Sequence, residues 1–257
     1  MTDIAIITPV YNGRFIGECI DSVAAVVVRD FKTEHIVVDD GSTDGAVNSA
    51  MEKTRPGLRV LGYAENRGGA FARNYGIDRT EAELIFCLDA DDVIFQNTVF
   101  SLVSFLKKNN YDWVYGDFLR TDESLRYKIG NDYYGYKFSN PEEVLTAMLS
   151  GEHFFQQNCL YRRSVFEAAG KFDEKRRHFQ DFDLFGRFLL AGYMPQYLPG
   201  PLYLHRSHES NLSRLNLRET DPDLHRQDVR DWFTQYESQI KKRLSAEQLQ
   251  KVAGYIN

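Results

Sequence analysis

The stretch Leu84-Ile85-Phe86-Cys87-Leu88-Asp89-Ala90-Asp91-Asp92 joins five apolar residues to three carboxylates within four positions. A continuous apolar run of this length reads as a strand buried on both faces, as in parallel sheets. The acidic run then marks its carboxyl end. Carboxylates this close repel one another and are costly to desolvate. Two arrangements relieve the strain. A hard divalent cation takes oxygen ligands, usually one or two carboxylates plus substrate phosphates. Alternatively, the aspartates cap a following helix.

Outward from this strand, the first half alternates strand and helix patterns. Ile4-Ala5-Ile6-Ile7 is a β-branched run, and Ile16, Ile20, Val23 and Val27 follow at helical spacing. His35-Ile36-Val37-Val38 is a second strand, ended by Asp39-Asp40-Gly41-Ser42. Residues 43–54 suit a helix, 59–63 a third strand, 69–82 a helix and 112–117 a further strand. Such alternation predicts an α/β fold, a Rossmann-like, mostly parallel sheet flanked by helices.

After about residue 118 the pattern changes. Residues 121–140 are polar and aromatic, suiting a loop or hairpin, and Pro141 opens a helix to Leu149. Residues 158–161 read as a short strand, 183–190 as a helix ending at Gly192, and 196–204 as a strand broken by Pro199-Gly200-Pro201. A small mixed second half is expected, then a helical C-terminal tail. That tail is highly charged, carries an apolar stripe of Trp232, Phe233, Tyr236 and Ile240, and has a capping box at Ser245-Ala246-Glu247-Gln248.

Composition narrows the class. The chain has 257 residues, enough for one large α/β domain, and 43% hydrophobic content supports a real core. Net charge is −6, and no Lys/Arg run is long enough to track a nucleic acid backbone. Cys19, Cys87 and Cys159 are scattered with no C-x-x-C, so neither zinc nor a disulfide framework is indicated, which suits a reducing cytosol. The N-terminus lacks a basic n-region, and the longest fully apolar run, Val23 to Val28, is far short of a membrane span. A soluble, cytoplasmic chain is expected.

In open parallel sheets, ligands bind beyond the carboxyl ends of the strands. Three such ends here are polar: Thr8-Pro9-Val10-Tyr11-Asn12-Gly13, Asp39-Asp40-Gly41-Ser42-Thr43-Asp44 and Asp89-Ala90-Asp91-Asp92. Neither G-x-G-x-x-G nor a P-loop follows the first strand, so the dinucleotide and P-loop readings lack their phosphate cradle.

These motifs, with Asn66-Arg67-Gly68-Gly69, Ala72-Arg73-Asn74, Gly170-Lys171-Phe172-Asp173, Gln180-Asp181-Phe182-Asp183-Leu184 and the run from Tyr203 to Ser213, resemble in order and spacing those of family 2 glycosyltransferases. The resemblance implies an A-type glycosyltransferase fold over residues 1–213, with a nucleotide-sugar half at 1–118, an acceptor and catalytic-base half at 119–213, and an extension at 214–257. It also implies a metal-dependent, inverting transfer of sugar from a nucleotide diphosphate donor, expected to be a UDP-sugar. The acceptor would be a hydroxyl of a glycan or lipid-linked glycan, as in bacterial surface polysaccharide synthesis.

By the same resemblance, Pro9, Val10, Tyr11, Asp39, Asp40, Arg73, Asp89 and Ala90 bind the nucleotide. Asp40 would accept the imide N–H of uracil, since a carboxylate is acceptor-only; an Asx turn is the plainer alternative. Asp91 of the Asp-x-Asp run would bind Mn2+ or Mg2+, with His208 completing the shell and His205 the competing candidate. Asp92 suits a helix cap. Asp181 is the expected general base, with a helix N-cap as its alternative. Gln157, Asn158 and Gln180 are expected beside donor sugar and acceptor. The family has Glu where this chain has Gln180, which keeps hydrogen bonding and loses charge. The tail, with Lys241-Lys242-Arg243, suggests packing onto the domain, or else a subunit or peripheral membrane contact. A catalytically inert sugar-binding module on the same fold is the rival reading.

Overall fold

The computed structural model describes residues 2–28, 31–51, 55–130, 132–211 and 221–257. Ile4–Val10 (β1), Thr33–Asp39 (β2), Leu58–Gly62 (β3) and Leu84–Cys87 (β4) form the parallel half of one eight-stranded sheet. β1 lies between β2 and β4, with Val10 beside Asp39 and Ile7 beside Cys87. Strand alternation sorts the side chains. Ile4, Ile6, Leu84 and Phe86 pack with Ile16, Cys19 and Ile20 of helix α1 (Ile16–Ala24). Ala5, Ile7, Ile85 and Cys87 face the opposite core with Ala70, Ala72 and Ile77 of α3 (Gly69–Ile77). The short α2 (Ala46–Met51) joins β2 to β3.

The second half is mixed. In chain order it holds Val93–Ile94 (β5), Thr98–Asn109 (α4), Trp113–Thr121 (β6), Pro141–Leu149 (α5), Leu160–Arg162 (β7), Arg163–Ala169 (α6), Gln180–Leu190 (α7) and Pro195–Arg206 (β8). The sheet order is β3-β2-β1-β4-β7-β6-β8-β5. β7 runs antiparallel to both β4 and β6, and β8 runs parallel to β6. Two reversals restore the original direction, so β8 ends on the same edge as β1, β2 and β4. That edge collects the polar strand ends.

Several boundaries differ from those the sequence suggests. β8 continues through Pro199-Gly200-Pro201, because the Asp117 carboxylate accepts the Gly200 N–H at 2.9 Å and the Tyr197 hydroxyl where the β6–β8 register shifts. Asp92 caps no helix: β5 follows it directly. α1 ends at Ala24, leaving Val27 exposed, and α3 ends at Ile77 rather than at 82. The expected helix end at Thr54 and the stretch from Ser213 to Thr220 lie outside the described residues.

The tail forms helices Pro222–Arg243 (α8) and Ala246–Ile256 (α9), the second opened by the expected capping box at Ser245 and Gln248. Its stripe turns inward. Trp232 and Ile240 are fully buried in the core shared with α5 and α7. Trp232 Nε1 donates to the buried Asp183 carboxylate at 3.0 Å, and Arg243 donates to the Leu190 carbonyl at 2.8 Å and to Glu142 at 2.7 Å. Lys241 pairs with Glu237. No helix among the described residues is long and apolar enough to cross a membrane.

Gly186 of α7 lies directly under the Trp232 ring, where an added Cβ would collide with the indole. Gly186→Ala should therefore lose about 1–3 kcal/mol through overpacking, although Ala is the better helix former. Urea unfolding measures this; a gain in stability would mean that the tail does not seat on α7.

Candidate active site

The site is built where like charges crowd. At the tip of β4, the Asp92 N–H donates to the Asp89 carbonyl at 3.2 Å, so the turn folds on itself and sends its three carboxylates in different directions. Each finds its own partner. Asp89 Oδ1 accepts from Arg73 Nη2 at 2.7 Å. Asp91 Oδ2 lies 2.8 Å from His208 Nε2 and accepts from Asn211 Nδ2 at 2.9 Å. Asp92 is buried, and accepts from Asn158 Nδ2 at 2.6 Å and from the Arg206 N–H at 3.0 Å, with His205 Nδ1 3.3 Å away. Burial pushes Asp92 up to about 6 against the pull of His205. The two histidines thus divide the two aspartates: His208 serves Asp91 and His205 serves Asp92.

Arg206, which the sequence left without a role, holds this arrangement. Its buried guanidinium donates to the carbonyls of Asp91 (2.9 Å) and Glu123, pairs with Glu18 at 2.9 Å and lies 4.2 Å over the Phe15 ring. Asn211 is the second missed residue. It accepts from the His208 N–H at 2.6 Å as well as donating to Asp91, so it aligns the metal-candidate pair.

At the tips of β1 and β2, Asn12 adopts left-handed backbone (φ 50°), a conformation Asn tolerates. Its N–H donates to Ser42 Oγ and its side chain accepts from the Thr43 N–H, which ties the two strand ends together. Tyr11 stands beside it, 51% exposed, and Pro9 is partly exposed while Val10 is buried. Asp40 is only 2% exposed and is saturated by the protein. Oδ1 accepts from the Tyr63 hydroxyl (2.8 Å) and the Arg67 N–H (2.7 Å), Oδ2 from Asn66 Nδ2 (3.0 Å) and the Gly68 N–H (2.8 Å). A carboxylate offers roughly four lone-pair sites. Asp40 therefore anchors the β3–α3 loop instead of presenting a free acceptor. Asp39 uses Oδ1 for the Ser42 N–H at 2.8 Å, and its Oδ2 accepts no hydrogen bond among the described residues.

The first turn of α7 meets the β4 tip through Arg73. One Nη donates to Asp89 and the other to Gln180 Oε1 at 3.2 Å. Arg73 therefore faces the carboxylates, and any contact it makes with a nucleotide is shared with Asp89. Burial pulls the Arg73 guanidinium down, and Asp89 together with Cys87 and Asp181 more than restores it, so it stays charged. Burial also raises the Asp181 carboxyl, against the opposing pull of the Phe182 N–H and of Arg73. Asp181 is not the helix N-cap. That position is Phe179, in left-handed backbone at φ 61°, with no side-chain cap bond. A bulky residue there is strained; Phe179 is held by stacking on Phe182 (centroids 4.1 Å apart) and by the His225 ring of α8.

The three residues expected beside donor sugar and acceptor make contacts within the protein. The Asn158 Oδ1 accepts from the Asp89 N–H at 3.0 Å, and its Nδ2 donates to Asp92. Gln157 is buried with its Nε2 on the Tyr161 hydroxyl at 3.2 Å. Gln180 accepts from Arg73 and donates to the carbonyls of Arg176 and Arg177 at 3.1 and 3.2 Å. Asn158 and Gln180 thus hold internal contacts, while Gln157 Oε1 is buried without a hydrogen-bond partner among the described residues.

No group of three or more His, Cys, Asp and Glu side chains among the described residues could hold a metal ion. The pair Asp91 and His208 nonetheless fits a hard cation whose remaining ligands are phosphate and water, the usual arrangement for Mg2+. A nitrogen ligand favours Mn2+. Ser210 Oγ, 2.9 Å from His208 Nδ1, orients the ring so that Nε2 faces the carboxylate.

Comparison with known proteins agrees with this geometry. The family model "Glycosyl transferase family 2" matches residues 5–170. The chain is 29% identical over 228 residues to "Glycosyltransferase GlyG" of Streptococcus pneumoniae serotype 4, covering 82% of this chain and 73% of that protein. It spans less than two thirds of the length of several other curated relatives. The S. aureus TarS 1-349 structure in complex with UDP-GlcNAc superposes with a TM-score of 0.76 at 20% identity, over 100% of this chain and 72% of that one. The mannosyltransferase PcManGT from Pyrobaculum calidifontis, in complex with GDP-Man and Mn2+, gives 0.65 at 20% identity over 91% and 64%. The fold is thus that of the TarS glycosyltransferase, with the helical C-terminal region included. With Asp-x-Asp at the tip of β4 and the ends of β1 and β2 on the same sheet edge, this chain is an enzyme that belongs to glycosyl transferase family 2.

Proposed function

We propose that this chain moves a sugar from a UDP-sugar to a hydroxyl of a glycan or lipid-linked glycan, with a divalent ion and with inversion at the anomeric carbon. The observation that carries the reading is the cluster in which Arg73 ties Asp89 to the first turn of α7 while Asp91 meets His208. Donor phosphates and an attacking hydroxyl need such groups a few ångströms apart. TarS, solved with UDP-GlcNAc, supports a uridine donor, and PcManGT, solved with GDP-Man and Mn2+, supports a metal.

In this reading, Tyr11 covers the face of the base and Asp39 Oδ2 accepts its imide N–H, the role first expected of Asp40. Asp89, steadied by Arg73, meets the ribose. Asp91 and His208 would hold the ion, which when bound neutralises charge on the departing diphosphate. Asp181 takes the proton of the acceptor hydroxyl, and its burial-raised carboxyl is the better base for it. Only one such carboxylate is needed, whereas glycoside hydrolysis calls for two flanking the bond. An acceptor on a growing surface polysaccharide would put the enzyme in the cytoplasm, at the inner face of the membrane.

Calorimetry with UDP tests the donor half. Mn2+ should tighten UDP binding about tenfold, and Asp91→Ala should remove that increment while leaving metal-free binding unchanged. A selective response to GDP instead would overturn the uridine assignment. For the acceptor half, Asp181→Asn should keep UDP affinity and cut transfer by about 100- to 10,000-fold. Loss of affinity instead would take Asp181 out of the base role, and donor binding with no turnover in the unaltered protein would favour an inert binding module.

A further inference from the structure

Gln180 lies one residue from Asp181 and makes three hydrogen bonds of two kinds. Its Oε1 accepts from Arg73, and its Nε2 donates to the carbonyls of Arg176 and Arg177. An amide does both. A carboxylate at this position would accept from Arg73 and leave two carbonyls without their donor. The surroundings are shaped for this contact: a Cβ on Gly69 would stand 3.1 Å from Arg73 Nη1 and 3.5 Å from Gln180 Oε1. Arg73 Nε is buried with no hydrogen-bond partner, so the orientation of the guanidinium depends on its two Nη contacts, Asp89 and Gln180.

We propose that Gln180 is a positioning residue: its amide fixes Arg73 between Asp89 and Asp181 and locks the 176–180 turn, without adding a second charge beside Asp181. The inference rests on Asp181 being the base. The groups that face Asp181 are few. Arg73 approaches from α3 and Asp89 from the β4 tip, both charged. Cys159 and Tyr161 approach from β7 and its lead-in, and burial pushes both upward, which keeps them neutral. Among the described residues, Arg73 is the cation whose pull on Asp181 opposes its burial, so whatever holds Arg73 bears on the proton affinity of Asp181.

The test needs neither donor nor acceptor. In the whole chain with carboxyl-labelled aspartate, NMR titration gives the Asp181 midpoint, its signal identified as the one lost in Asp181→Asn. Gln180→Met keeps length and neutrality but releases Arg73, so the midpoint should rise by several tenths of a pH unit. Gln180→Glu both draws Arg73 off Asp89 and adds a charge, so the rise should reach about one unit. If Gln180→Met does not fold, the smaller Gln180→Ala, which also releases Arg73 and stays neutral, carries the same readout. A wild-type midpoint in whichever of the two folds overturns the inference, even where Asp181→Asn abolishes transfer. A raised midpoint together with an active Asp181→Asn enzyme would instead sink the base assignment and leave the coupling in place.

Discussion

Crowded carboxylates at the end of one buried strand are the constraint around which this molecule is organised. Asp89, Asp91 and Asp92 cannot share one environment, because each like charge raises the cost of the next. The fold gives each its own partner from a different part of the chain: Arg73 from α3, His208 from beyond β8, and Asn158 with the Arg206 backbone for Asp92. Removing one member of such a buried network leaves the others uncompensated. The tip of β4 thereby fixes where α3, α7 and the end of β8 must lie.

Arg73 and Arg206 divide the work. Arg206 is structural, clamping the acidic turn by its backbone carbonyl and closing it against the β1–α1 region through Glu18 and Phe15. Arg73 joins the β4 tip to the first turn of the helix that bears Asp181. Ion pairs with a solvent-exposed partner are poor evidence for stability in themselves. Here their geometric consequence matters more, since they set the spacing between the two halves of the site.

The C-terminal helices belong to the same body. Asp183 is fully buried two residues beyond Asp181, and it takes hydrogen bonds from Arg187 and from Trp232 of α8. The His225 ring rests on Phe179, the strained residue at the head of α7. The tail therefore braces the helix that carries the proposed base, although the family match ends at residue 170.

The alternation of strands and helices, the acidic tips and their common sheet edge were legible from residue order alone, because hydrophobic period and turn chemistry are local properties. The capping box at Ser245 and the helix opened by Pro141 were legible for the same reason. Partner choice was not. Asp40 and Asp39 are adjacent, yet one is saturated by a loop some 25 residues away and the other keeps an open oxygen. The sequence favoured His208 over His205, and the return of β8 parallel to β4 gave each histidine its own aspartate. The internal contacts of Gln180 and Asn158 were not legible either, since a polar side chain's partners depend on which donors and acceptors burial brings within about 3 Å of it. The chain's own order of residues determined the fold and the location of its acidic edge; long-range packing alone decided which carboxylates were consumed in holding that edge together and which remained to act.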